Sequence, residues 1–346
     1  MEKARTTIKD VAKRANVSIA TVSLVINNNT RISKTTRTKV LNAIKVLNYF
    51  PSKSAQSLVK KRTGNLGFIL TDDHFLRTEP FYTRIFLGTE FEAGRNEYYV
   101  LLATVKTDYK ESEKIPRFVL EGSVDGIIIA GKIPTELLSD LLKFKIPLVC
   151  VDFYRNEIDY PVVLIDNIQG GMIATEHLLN LNHKNIAFLG GDINHPSIAD
   201  RLIGYKSALQ KANIKINENL IITISPYPDR QNGYDSARLL FERNNDVTAI
   251  FACNDAMAIG AMQYLKENNI NIPRDISLVG FDDDEADLLL KPALTTIRVP
   301  KIDLGVEAVK YLIEIINNRS TTSKKIIVSV ELIVRNSTSN CILNKD

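Results

Sequence analysis

The sequence predicts an all-α helix-turn-helix head followed by a two-lobed α/β body of doubly wound parallel sheets. Three observations lead there. The first 50 residues carry apolar side chains at helical spacing, with capping residues ahead of each run. From residue 64 onward, short apolar runs alternate with amphipathic stretches. Net positive charge is confined to the front: residues 1–63 hold 14 Lys and Arg against two Asp and Glu, leaving 30 basic and 38 acidic residues of the chain's 44 and 40 for the rest. A cationic segment on an acidic body points to a polyanion partner for that segment alone.

In the head, TTIKDVAKRA puts Ile8, Val11 and Ala12 on one face and sets Thr7 and Asp10 in capping-box spacing. The ANV that follows leaves room only for a turn. Ser18 then caps a second helix whose inward face is Val22, Val25 and Ile26. NNNTRI ends that helix, Ser33 caps a third, and Val40, Ile44 and Leu47 form its apolar stripe. Two short helices joined by a tight turn and closed by a third make a helix-turn-helix. The stretch FPSKSAQSLVKKRT has few large apolar residues and reads as a linker with room for a short helix.

The body's apolar runs are LGFIL, YVLLAT, VDGIIIA, PLVCVD, NIAFLGG, LIITIS, AIFACND, SLVGFDD and LTTIRV. Helical stretches such as GGMIATEHLLNL and MAIGAMQYLKENN lie between them. Buried strands alternating with helices indicate parallel sheets covered on both faces. The strands are too many for one comfortable sheet, so two lobes are expected.

Composition removes several function classes. No apolar run approaches the ~18 residues of a membrane span. Cys150, Cys253 and Cys341 form no CxxC pair, which suits a reducing cytosol. MEKARTTIKDVAKRA has no apolar signal core, so a cytoplasmic location is expected. GIIIAGKI comes within one residue of a P-loop, but its spacer residues are the strand itself and Ile133 replaces the magnesium-holding hydroxyl. No GxGxxG follows a strand. His74, His177, His183 and His195 lack metal-ligand spacing and sit in no nucleophile motif. No catalytic constellation, cofactor or metal is expected.

The segment TIKDVAKRANVSIATVSLVINNNTRISKTTRTKVLNAIKVLNYFPSKSAQSL resembles the DNA-binding head and hinge of LacI/GalR-type bacterial transcription regulators. EPFYTRIFLGTEFEA, VDGIIIAG, EHLLNLNHKNIAFLGG, DRLIGYKSAL, AIFACNDAMAIGAM, LVGFDDDE and PALTTIRVP continue the resemblance in family order. It implies a repressor that binds a palindromic double-stranded DNA operator as a homodimer or dimer of dimers. It also implies a body like that of periplasmic sugar-binding proteins, with a small-molecule effector, a sugar first, between its lobes. The expected division is a head over 1–50, a hinge over 51–63 and a body over 64–346. The first lobe is expected at about 64–165 plus 296–325, the second at about 166–295 plus 326–340.

The resemblance places the second helix in the major groove. Ser18, Thr21, Ser23 and Asn27 match phosphate or groove-edge positions, where neutral hydroxyls and amides position without specifying. Ile19, Ala20 and Leu24 match base-reading positions. Relatives often carry arginine where Leu24 stands, and apolar side chains there can read a thymine methyl. Arg31, Ser33 and Tyr49 complete the head's expected DNA-binding set. In the hinge, Leu58 matches a leucine wedge in the minor groove and Ala55 is small enough to lie beside it.

In two-lobed α/β proteins, ligands bind at the carboxyl ends of the strands. Asp152, Asn254 and Asp282 end apolar runs there. Arg201 matches a family arginine that reaches the cleft, Phe81 is placed as an apolar platform, and Tyr227 or Pro228 is its counterpart from the other lobe. The same residue types suit a nucleobase or nucleoside corepressor, and the sequence does not choose between inducer and corepressor. A sugar-binding transport protein shares the body but lacks the basic head.

Overall fold

The structure, a computed structural model, describes residues 6–26, 31–49, 62–73, 81–109, 115–155, 158–224, 228–243, 246–318 and 323–341. Two compact units emerge: one holds the head together with Ser123–Asp125, the other the body from Asn65 onward.

The head is built on α1 (Ile8–Ala15), α2 (Ile19–Ile26) and α3 (Lys34–Val46). Each start has the cap its sequence calls for. The Asp10 carboxylate accepts from the Thr7 amide at 2.8 Å and the Thr7 hydroxyl at 2.7 Å. Ser18 Oγ accepts from the Thr21 amide at 3.1 Å, and Ser33 Oγ from the Thr36 amide at 3.3 Å. These bonds satisfy donors that a helix N-terminus leaves unpaired. Asn16, at φ 54°, ends α1 in the left-handed conformation that asparagine tolerates. Val11, Val22, Val25, Val40 and Ala43 close the core.

The first part of the body runs β1 (Asn65–Thr71), α4 (Phe81–Arg95), β2 (Tyr99–Val105), α5 (Arg117–Leu120), β3 (Gly126–Ala130), α6 (Thr135–Lys143), β4 (Leu148–Val151) and β5 (Val162–Ile165). The chain continues with α7 (Asn167–Asn180), β6 (Ile186–Gly190), α8 (Pro196–Lys211), β7 (Ile221–Thr223), α9 (Arg230–Arg243), β8 (Ala249–Ala252), α10 (Asp255–Glu267), β9 (Ser277–Asp282) and β10 (Thr295–Arg298). It closes with α11 (Lys301–Asn318), β11 (Lys325–Val328) and β12 (Glu331–Ile333).

Two sheets result, in the orders β11-β5-β4-β3-β1-β2 and β12-β10-β9-β8-β6-β7. Every pairing is parallel except β10 with β12. The central strands β3, β4, β6 and β8 are buried at every residue, because helices cover both faces. This is why GIIIA cannot be a phosphate loop: all five residues are core.

The chain passes between lobes three times, and two passes fall later than expected. Thr295–Arg298 pairs with Val279–Asp282 and stays in the second lobe. Lys325–Val328 pairs with Val162–Ile165 and belongs to the first. The second pass therefore falls between Arg298 and Lys301, and the third between Val328 and Glu331. Short apolar runs announce a strand without saying which sheet receives it; the hydrogen-bond partner decides.

Candidate functional site

On the head, α2 separates two kinds of side chain. Val22 and Val25 are 0% and 2% exposed, whereas Ile19 is 45% and Leu24 39% exposed, and Ala20 is exposed beside them. Thr21 and Ser23 are half-buried, and the Ser18 and Thr21 hydroxyls bond each other at 2.9 Å. Arg31 and Ser33 are exposed, Ser33 as the cap of α3. Tyr49 packs its side chain into the head's core cluster with Val11. Asn27, Ala55, Leu58 and Tyr227 lie outside the described residues.

In the body, a cavity of about 800 Å³ opens at the carboxyl ends of both sheets. It takes Asp73 after β1, Asp152 after β4, Asp192 after β6, Asn254 after β8 and Asp282 at the end of β9. That is the crevice where open α/β sheets bind ligands. Phe81 and Tyr82, the first residues of α4, wall the first-lobe side, their rings edge to face at 5.1 Å.

Arg201 projects from α8 and is 6% exposed. Its Nε donates to Asn167 Oδ1 at 2.8 Å and its Nη1 to the Cys253 carbonyl at 2.6 Å. The guanidinium carbon lies 3.6 Å from the centre of the Phe281 ring. Backbone contact between α7 and α8 sets this position. A Cβ on Gly171 would stand 2.3 Å from the Arg201 carbonyl oxygen, and one on Gly204 2.2 Å from that of Ile168. Only glycine permits that approach.

Asp152 is 5% exposed and stands at φ 64°, a conformation an L-residue holds only under constraint. The Tyr82 hydroxyl donates to its Oδ2 at 2.9 Å, and the Ser197 hydroxyl to its carbonyl at 3.2 Å. Its Oδ1 has no hydrogen-bond partner among the described residues, and neither does Asp282 Oδ1. Burial pushes the Asp152 carboxyl up to about 6, with Arg201 and the Tyr82 hydrogen bond pulling the other way. Burial also raises Asp282, against the opposing charges of Arg201 and Lys301.

Asn254 lines the cavity and is anchored by two bonds within the protein. Oδ1 caps α10 by accepting from the Met257 amide at 2.9 Å, and Nδ2 donates to the Pro228 carbonyl at 2.7 Å. Several lining residues had no sequence signal strong enough to single them out. Tyr82 simply follows Phe81. Ser197 lies four residues before Arg201 on the same helix face, a spacing that points to the same wall. Lys132, the lysine of the failed P-loop, stands 3.8 Å from Asp192 of the other lobe.

Residues 7–52 match the bacterial regulatory proteins of the lacI family, and residues 175–338 match a periplasmic binding protein-like domain. The HTH-type transcriptional repressor PurR of Haemophilus influenzae is 33% identical over 341 residues, covering 97% of this chain and 99% of its own. The chain belongs to the lacI family. The ribose operon repressor of Haemophilus influenzae is 31% identical over 96% of this chain and 98% of its own length. Among solved structures, the lac repressor dimer bound to operator and the anti-inducer ONPF superposes with a TM-score of 0.79. It is 25% identical and covers 97% of this chain and 99% of that one. As a lacI-family protein the chain is a transcriptional regulator with a helix-turn-helix head and a periplasmic-binding-like body. Among the described residues, no helix is long and apolar enough to cross a membrane.

Proposed function

We propose that this chain is a cytoplasmic repressor that binds a palindromic operator as a dimer and is controlled by a carbohydrate in the body's cleft. One observation supports the effector reading above the others: the immobilised Arg201 fork lies beside Asp282 in a cavity that also holds Asp152, and each carboxylate keeps a buried oxygen without a donor. Vicinal sugar hydroxyls supply both needs, donating to the carboxylates and accepting from the guanidinium. Phe81 offers the apolar face under the ring, while Asn254 and Tyr82 hold the framework. In the head, α2 reads the major groove and the 51–63 segment, with Ala55 and Leu58, takes the minor groove. No residue is assigned a catalytic role.

A nucleobase is the second reading, since arginine and carboxylate also pair with ring carbonyl and N–H groups. The cavity lining favours the sugar: seven carboxylates face three cationic side chains among its described residues. Such a surface suits a ligand in which nearly every polar group can donate. Calorimetric titration of the full chain with a panel of sugars and nucleobases tests this, with Arg201→Ala as control. A sugar that binds the parent and not the variant is the expected result. Binding confined to nucleobases, or unaffected by Arg201→Ala, overturns the assignment.

A further inference from the structure

Resting on the operator-binding reading above, we propose that this repressor reads its half-site through thymine methyl groups, with Ile19, Ala20 and Leu24 as the reading edge. Residues 19–26 contain no charged side chain and no amide side chain. Bidentate contacts to guanine need arginine or lysine, and those to adenine need asparagine or glutamine. The body of α2 supplies neither.

What α2 does supply is an apolar arc on its outer side. At about 100° per residue, Ala20 and Leu24 fall opposite Val22 and Val25, and Ile19 lies at the edge of that outer side with Ser23 between it and Ala20. Val22 and Val25 are spent in the core, while Ile19 and Leu24 remain 45% and 39% exposed. The N-terminal residues of the second helix in a helix-turn-helix meet base edges in the major groove. The apolar group on offer there is the C5-methyl of thymine. Covering the three side chains with methyls removes apolar surface from water on both partners.

Three of the polar side chains nearby are engaged within the head. Ser18 caps α2 and bonds Thr21, and Ser33 caps α3. The head's cations, Lys13, Arg14, Arg31, Lys34 and Arg37 among them, all lie outside the 19–26 segment of the sequence. Such charges bind phosphates without regard to sequence. Division of labour follows: cations set affinity, and apolar contact sets the sequence.

The experiment is selection by the full chain from a randomised palindromic DNA pool, followed by replacement of each selected thymine with deoxyuridine, which deletes only the methyl. Thymines enriched at fixed positions in both half-sites are expected. Uracil at a symmetric pair of contacted positions should weaken binding on the order of tenfold, the equivalent of roughly 0.8 kcal/mol per buried carbon. Leu24→Arg, an exposed substitution, should move the preference at one symmetric pair to guanine by roughly 5- to 150-fold. Guanine or cytosine throughout the selected core overturns the proposal, as do thymines that tolerate uracil without loss. A pool with no enriched sequence overturns the operator-binding reading itself, and this proposal with it.

Discussion

Arg201 holds Nη1 3.8 Å from Asp282 Oδ1, near enough to offset its charge and too far to hydrogen-bond with it. The other contacts of the guanidinium set that separation. Nε and Nη1 are tied to Asn167 and the Cys253 carbonyl, and the Phe281 ring fixes the plane. The carboxylate oxygen therefore stays available to a ligand, and the arginine is in place before one arrives. Pre-organisation of this kind lowers the ordering cost of binding.

Arg201→Lys should show how much of the site is fork geometry. One ammonium cannot hold both anchoring bonds and lie on the ring. Effector affinity should fall by about 100-fold or more, as expected for two hydrogen bonds to a charged group at roughly 1.5–3 kcal/mol each. Displacing the buried counter-charge from Asp282 should destabilise the body by roughly 3 kcal/mol. Calorimetry and thermal unfolding read the two effects separately. A lysine variant that binds effector like the parent would remove the fork from the account.

Asp152 makes the empty body sensitive to pH. Its folded value of about 6 lies above the ordinary 3.8, so between those values the folded state holds the extra proton. Stability should therefore be highest, for this group, below pH 3.8 and should decline as pH rises through 6. Asp152→Asn should remove that slope and stabilise the ligand-free body by roughly 1–3 kcal/mol at neutral pH. It should also weaken effector binding. Denaturant unfolding from pH 5 to pH 7.5 checks the sign; a variant less stable than the parent at pH 7 would contradict it.

Much of the architecture was legible because local chemistry and tertiary structure agree in it. Thr7, Ser18 and Ser33 announce their helices, and each makes its cap. Asp152 and Asp282 stand where buried apolar runs end, which is where a doubly wound sheet puts its crevice. Other features depend on pairings between distant parts of the chain. Tyr82 matters through a hydroxyl bond to a residue 70 positions away. Asn254 is fixed at the cavity by the Met257 amide and the Pro228 carbonyl, partners 3 and 26 positions away. Tyr49 carries no mark in the sequence of the core packing that the head gives it.

Leu58→Ala should separate specific from general DNA binding. It leaves Lys53, Lys60 and Lys61 in place, so affinity for scrambled DNA and its steep fall with salt should barely change. Affinity for the operator should drop by about tenfold or more, because a minor-groove wedge offsets a few kcal/mol of base unstacking. Effector binding should not change. Binding isotherms on both DNAs at two salt concentrations decide; equal losses on operator and scrambled DNA would make Leu58 a residue of general stability and end the wedge assignment.

The central claim is that occupancy of the Arg201 cleft controls what the head does on DNA. Linkage makes this reciprocal: if the effector changes operator affinity by some factor, the operator must change effector affinity by the same factor. The most direct measurement is therefore effector affinity by calorimetry on the full chain, free and saturated with operator, beside operator affinity with and without effector. The account predicts two matching ratios, each different from one by roughly 5- to 150-fold, the range of typical coupling energies. An effector that binds the free and the operator-bound protein equally well would contradict it.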